Sequence, residues 1–215
     1  MLAFETRLWA EGVRHVAGID EAGRGPLAGP VVAAAVIASP EFFLPEVDDS
    51  KRLSPAQREH LYHAILAGAL AAGVGIVDND VIDCYNILNA TYLAMHRAVE
   101  NLSVVPDHLL IDGNRFDPGF APLLEGRAVD QRERIPFTTI VKGDSRSFLI
   151  AAASIVAKVT RDRLMTELDA RYPGYGFARH KGYGTEAHRE AIVRMGLCPI
   201  HRRSFHCAQP EEKEQ

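Results

Sequence analysis

Short apolar runs and longer periodic stretches alternate along this chain. Val13–Asp20 reads as a strand that ends on acids, Asp20 and then Glu21. Val31–Ile37, with the sequence Val-Val-Ala-Ala-Ala-Val-Ile, reads as a second strand. Only a turn separates the two, which predicts antiparallel neighbours. Pro55–Ala71 is predicted helical, with Ser54 as its N-cap, Pro55 at its first position and Glu59 in its opening turns. A third strand is expected at Gly73–Val77. A second helix follows at Asp80–Asn101, with Ile82, Leu88, Leu93, Ala94 and Val99 as its apolar members. His108–Ile111 and Pro136–Val141 read as the fourth and fifth strands. Ser147–Tyr172 is the longest predicted helix, ended by Pro173-Gly174, and another lies near Thr185–Met195. Neither a repeat nor a linker divides the chain, so one domain over 1–208 is expected, followed by a polar tail, Gln209–Gln215, expected to be disordered.

Composition narrows the setting. Hydrophobic residues are 47% of 215, enough for a core. The three cysteines, Cys84, Cys198 and Cys207, argue against a disulfide framework and for a reducing, cytoplasmic location. The N-terminus has no signal-peptide layout and no run is long enough to span a bilayer, so no membrane partner is expected. A net charge of −4 disfavours nucleic acid at first sight, yet Arg171–Arg203 carries seven Arg/Lys against two acids. The competing reading of that segment is a solvated basic face.

The chemistry concentrates after the first strand. Asp20 and Glu21 are followed at once by Ala22-Gly23-Arg24-Gly25-Pro26-Leu27-Ala28-Gly29-Pro30. Adjacent acids at the end of a buried strand repel each other and resist desolvation, so they call for a shared cation or proton. Glycines let backbone approach a ligand, and Arg24 offers a fork that matches phosphate. Together they suggest a metal site that handles a phosphodiester. Asp112 and Asp144 also sit at or just beyond predicted strand ends, where ligands of α/β folds gather. A lone Asp there is more often a turn residue, as Asp112-Gly113-Asn114 would be by itself.

Other motifs fit less well. Gly23-x-Gly25-x-x-Ala28 matches a loose dinucleotide fingerprint, but that fingerprint needs a helix next, and Val31–Ile37 reads as strand. Cys198, His201, His206 and Cys207 match no tight zinc spacing. Neither a Walker sequence nor a G-x-S-x-G elbow is present.

Further segments carry a resemblance. They are Gly18-Ile19-Asp20-Glu21-Ala22-Gly23-Arg24-Gly25-Pro26, Asp49-Ser50-Lys51-Arg52-Leu53-Ser54, Asn86-Ile87-Leu88-Asn89-Ala90-Thr91, Leu110-Ile111-Asp112-Gly113-Asn114 and Val141-Lys142-Gly143-Asp144. Ala151-Ala152-Ala153-Ser154-Ile155-Val156-Ala157-Lys158, His180-Lys181-Gly182-Tyr183-Gly184-Thr185 and Pro199-Ile200-His201-Arg202-Arg203-Ser204-Phe205 complete the set. From about Val16 to about His206 the chain resembles the ribonuclease HII family, the type 2 ribonucleases H of bacteria. The resemblance implies a ribonuclease H-like α/β fold, a mixed central sheet flanked by helices with a helical C-terminal part. It implies cleavage of RNA in RNA–DNA hybrids and at single ribonucleotides in duplex DNA, with Mn²⁺ or Mg²⁺ as cofactor. By the same resemblance Asp20, Glu21, Asp112 and Asp144 are the catalytic, metal-binding carboxylates. Gly23, Arg24 and Gly25 would read the ribose 2′-hydroxyl, and Tyr183 would pack on the sugar at the DNA side of the junction.

Hard cations want oxygen ligands, which four carboxylates supply. Arg24 has a second reading, an ion pair with a nearby acid. Lys51, Lys142 and Lys181 are candidates for phosphate contact. The Ser147–Tyr172 helix reads as scaffold, with Lys158, Arg161 and Arg163 solvated. A monomer is expected, since the sequence shows no interface stripe.

Overall fold

All seven residues of β2, Val31–Ile37, are buried. A strand covered on both faces is written as one apolar run rather than an alternation, and this run is of that kind. Its side chains divide by parity. Ala33, Ala35 and Ile37 enter one core with Leu93, Ala94 and Ala98, while Ala34 and Val36 enter another with Ile150, Ala153 and Ala157. Two helical layers therefore sandwich one sheet.

That sheet has five strands: β1 (Val16–Ala22), β2, β3 (Ala71–Val77), β4 (His108–Asp112) and β5 (Phe137–Ile140), in the order β3-β2-β1-β4-β5. β1 and β2 are antiparallel, as their short connection predicts, and β3 is antiparallel to β2. β4 runs parallel to β1, and β5 parallel to β4. The mixed α/β class expected from the sequence is found. The computed structural model describes residues 1–119 and 134–205. The tail Gln209–Gln215 and the pair His206-Cys207 lie outside the described residues.

The first strand begins and ends later than its hydrophobicity suggests. It runs through the two acids to Ala22 because Glu21 and Ala22 pair with Ala33 and Val32. α1 (Ala3–Ala10) has no counterpart in the predicted elements. It lacks a side-chain cap and is fixed by tertiary contact: buried Glu5 accepts from Ser147 Oγ at 2.6 Å and from Leu149 N–H at 3.1 Å. α2 (Pro55–Gly68) opens with a complete capping box between Ser54 and Gln57 and stops short of Ala71, where β3 begins. α3 (Asn79–Glu100), expected as one helix, is two joined at Asn86, whose φ of 66° breaks the spiral. The Asn86 side chain then caps the second part, accepting from Leu88 and Asn89 N–H. α4 (Phe148–Arg171) is capped by Ser147. α5 (Phe177–His180) has no counterpart in the predicted elements, and α6 (Glu186–Met195) starts after Thr185. Among the described residues, no helix is long and apolar enough to cross a membrane.

α4 lies directly on the backbone of β1. A Cβ at Gly18 would fall onto the main chain at Leu149 and Ile150, which cannot swing away as a side chain could. Gly18→Ala should therefore lower the unfolding free energy by about 3 kcal/mol, read from urea unfolding. An unchanged midpoint would contradict this account of the contact.

Candidate active site

Asp20 and Glu21 are consecutive on β1, so their side chains leave opposite faces of the strand. Parallel pairing of Ile19 with Ile111 brings Asp20 level with Asp112, the last residue of β4. Asp112 in turn pairs with Ile140 at the end of β5. The chain then turns through Lys142, in the left-handed region at φ 55°, into a 3₁₀ turn, Gly143–Ser145, that carries Asp144. Gly143 N–H donates to Asp112 Oδ1 at 2.6 Å, tying that turn to β4. Three adjacent strand ends thus deliver all four predicted carboxylates to one edge of the sheet.

Their electrostatics show the crowding. Asp20 is 5% exposed. Burial lifts its carboxyl well above the usual value, and the charges of Glu21 and Asp112 lift it further. Burial also raises Glu21; Arg24 pulls it back and Asp112 pushes it up. Asp112 is raised by burial first, with the Gly143 N–H acting against it and Asp144 with it. Two cations answer this charge. Arg24 Nη1 sits 3.1 Å from Glu21 Oε1, so the ion-pair reading of Arg24 describes this state. Lys51 Nζ sits 3.3 Å from Asp144 Oδ2 and 3.9 Å from Asp49 Oδ1. Burial pulls the Lys51 ammonium down, but Asp144, Asp49 and Asp20 outweigh it and the net shift is upward.

Among the described residues, no three His, Cys, Asp or Glu side chains form a ready-made cation cage. The donor set suits a hard divalent cation all the same. It consists of carboxylate oxygens whose mutual repulsion a cation would relieve.

The loop after the acids is held from below. Arg202 donates to the carbonyls of Gly23 at 2.5 Å, Arg24 at 2.9 Å and Gly29 at 2.9 Å. Arg161 donates to those of Pro30 at 2.9 Å, Ala28 at 3.3 Å and Lys181 at 3.0 Å. Gly23, at φ 98°, has the Arg161 side chain where a Cβ would stand. The Tyr183 ring lies 3.7 Å from the Cβ position of Gly25, and the tyrosine is 44% exposed, as a loop aromatic should be. A helix after Gly25, which a dinucleotide site needs, is replaced by a turn and β2.

A family model described as Ribonuclease HII matches residues 17–208. The chain belongs to the ribonuclease HII family. Ribonuclease HII of Geobacter sulfurreducens is 56% identical over 94% of this chain and 87% of its own length. That of Geobacillus kaustophilus is 55% identical over 95% of this chain and 73% of its own. The solved ribonuclease H2 of Pyrococcus horikoshii superposes with a TM-score of 0.71 at 30% identity, covering 90% of this chain and 95% of that one. Ribonuclease HII enzymes cleave RNA in RNA–DNA hybrids and depend on divalent metal ions, and this chain is a ribonuclease H hydrolase.

Not every candidate converges on the carboxylates. Lys51 reaches the acids. Lys142 is exposed immediately before Gly143-Asp144. The Lys181 ammonium instead donates to the Asp162 carbonyl and to Thr166 Oγ1 on α4. It lines an open groove of about 750 Å³ with Arg58, Lys158, Arg163 and Arg179 rather than with the carboxylates. Cys198 and His201 do meet, Sγ to Nδ1 at 3.1 Å, but as hydrogen-bond partners.

Arg161, read as solvated, is 1% exposed, and Arg202, counted with the basic surface, is 0% exposed. Burial pulls both guanidiniums down, Arg202 to about 9, with Arg161 as the next contributor there. The reason is local. A loop with two prolines, bonded to other backbone at Leu27 and Gly29, still leaves carbonyls that need donors, and that need was the available signal. Ser154 escaped notice too. It lies two turns before Arg161 on the same face of α4, bonds Ser50 Oγ at 2.9 Å, and lowers Asp20 as a hydrogen-bond donor.

The raised acids set the pH dependence. Where folded-state values exceed the ordinary 3.8 or 4.5, the folded chain holds protons that the unfolded chain has released. Metal-free stability therefore falls as pH rises from those ordinary values through the raised ones. Asp20→Asn should stabilise the metal-free protein at pH 8 by about 1 kcal/mol or more, since one pKa unit is worth about that much. Calorimetry at pH 5 and pH 8 checks it: the advantage of the variant should widen with pH. A variant no more stable than the parent at pH 8 would overturn this.

Proposed function

We propose that the protein cuts the RNA strand of hybrids and also nicks duplex DNA on the 5′ side of a single embedded ribonucleotide. The products would carry 5′-phosphate and 3′-hydroxyl ends, and the nick would open the strand for removal of the ribonucleotide. The observation that carries this reading is a juxtaposition. A buried, mutually repelling carboxylate set lies one turn of chain from a glycine backbone packed beside an exposed tyrosine.

In this reading Asp20, Glu21, Asp112 and Asp144 are the catalytic carboxylates and hold two divalent cations, Mg²⁺ or Mn²⁺. Held there, such cations supply activation of water and stabilisation of the leaving 3′-oxygen. The chain's own residues do the rest. Gly25 has nothing but the Tyr183 ring near its missing Cβ, so a sugar can approach its backbone where a larger residue would intrude. That closeness suits a test for the 2′-hydroxyl, the group that tells ribose from deoxyribose. Arg24, on a loop whose carbonyls are fixed, can exchange Glu21 for a phosphate oxygen. Lys51 is 79% exposed along its side chain and stands at the acids, placed for the same kind of contact. Tyr183 offers a flat apolar face to the neighbouring deoxyribose.

The rival reading, a binding module without activity, fits poorly. Carboxylates facing phosphate weaken binding, and a pure binder gains nothing from four of them.

Duplex DNA with one ribonucleotide, incubated with and without Mg²⁺ or Mn²⁺, should give a single nick 5′ of that residue. Cleavage should require the metal and vanish in Asp20→Asn. Cutting of all-DNA duplex at an equal rate would refute sugar recognition. Tyr183→Ala should slow the junction nick by about tenfold or more, the scale of a misplaced substrate, with Mn²⁺ affinity unchanged by titration calorimetry. If both fall together, Tyr183 is structural.

A further inference from the structure

Beneath Tyr183 lies a set of three histidines that the reaction leaves unused. His188 and His201 are buried, and their Nε2 atoms are 3.1 Å apart. His188 Nδ1 is 3.0 Å from the Tyr183 carbonyl oxygen. His180 stacks on His188, ring centres 4.4 Å apart at 16°. Phe177 closes the cluster edge-on to both.

The hydrogen-bond partners fix which nitrogen carries each proton. A carbonyl only accepts, so His188 Nδ1 is the protonated nitrogen. Burial holds this imidazole neutral, at about 4, so its Nε2 accepts and the proton between the rings belongs to His201 Nε2. Burial likewise keeps His201 below its ordinary value; its Nδ1 faces both the Cys198 N–H at 2.9 Å and the Cys198 carbonyl at 3.2 Å, and with the proton on Nε2 it accepts from the nearer N–H. The chain of bonds therefore runs one way: Cys198 N–H to His201, His201 to His188, His188 to the Tyr183 carbonyl. His180 works on the preceding residue. Its Nδ1 accepts from Gly182 N–H at 3.2 Å while its Nε2 donates to the Tyr175 carbonyl at 2.8 Å. The peptide on either side of Tyr183 is thus gripped by an oriented imidazole. Gly182 at φ 82° permits the turn, and its own carbonyl accepts from Leu27 N–H at 2.8 Å.

We propose that His188 and His201 are positioning residues, which aim the Tyr183 ring beside Gly25 through this one-way chain of hydrogen bonds. The inference rests on the reading that Tyr183 touches the substrate sugar. Its physical content is that a buried polar chain either has every proton assigned or loosens the loop above it.

Two measurements on the full chain test it. Nitrogen-15 spectra of labelled histidine at pH 7 should show His188 protonated at Nδ1 and His201 at Nε2, both neutral. The opposite tautomers, or an imidazolium at either site, would overturn the proposal. The second is a double-mutant cycle on the single-ribonucleotide substrate. His188→Leu should slow the nick by about tenfold, and His188→Asn, whose amide nitrogen replaces Nδ1 as donor, should restore most of it. In the Tyr183→Ala background His188→Leu should add less than about twofold, because both changes remove one effect. Fully additive losses would show that His188 acts elsewhere and defeat the proposal. If His188→Leu does not fold, the Asn variant and the nitrogen spectra decide alone. A Tyr183→Ala protein that nicks normally would defeat the sugar-contact reading itself, while the tautomers still judge the hydrogen-bond chain.

Discussion

Two buried guanidiniums carry the loop on which this site depends. Arg161 and Arg202 take up the carbonyls of Gly23, Arg24, Ala28, Gly29 and Pro30, and Arg161 takes that of Lys181 besides. Main-chain pairing in this segment reaches Leu27 and Gly29, which bond to Gly182, Ile200 and Arg202, and these five carbonyls are met by the arginines. Each charge-assisted bond contributes roughly 1.5–3 kcal/mol, and loss of an arginine would leave several buried acceptors unmet. The arginines also join two parts of the molecule. One comes from the long helix against the sheet, the other from the C-terminal segment, where an isolated bridge between Ala28 and His201 continues the contact.

The same arrangement bears on the acids. Asp20 and Glu21 occupy strand positions that the core desolvates, and three strand ends bring Asp112 and Asp144 against them. The fold accepts this unfavourable charge because it is anchored on both sides. α4 presses on β1 at Gly18, and the arginine-held loop prevents the strand end from splaying. Lys51 and Arg24, both reaching in from exposed positions, offset part of the charge without filling the space. Repulsion maintained by a rigid frame is what a hard cation would relieve at these oxygens.

Much of this was legible in the residues. The apolar run of β2 named a strand buried on both faces, and the serine and proline at Ser54-Pro55 named a helix start. The acids after β1 marked a place of unfavourable charge, and their raised carboxyls lie there. What stayed hidden depends on partners distant in sequence. Nothing local says that β4 will lie parallel to β1 and bring Asp112 level with Asp20. The burial of Arg161 is invisible in a helix whose neighbours include Lys158 and Arg163, since only the needy carbonyls of another segment explain it. α1 is held through Glu5 to the start of α4, not by its own periodicity. The break at Asn86 is concealed because the asparagine caps the helix it interrupts. The histidine cluster left a fainter trace still, three imidazoles spread over residues 180–201 with no ligand spacing.

The reach of Arg202 has a consequence for how the molecule comes into being. The chain is made from the N-terminal side, so the acid pair precedes Asp112 and Asp144, and the arginine that braces the glycine loop follows them all. Contacts so far apart in sequence close late, after the chain has given up much of its freedom. A chain that stops before residue 202 lacks the three hydrogen bonds that Arg202 donates to the carbonyls of Gly23, Arg24 and Gly29. The brace beneath the glycine loop is in this sense a long-range contact, joining Gly23 to an arginine 179 residues further along the chain.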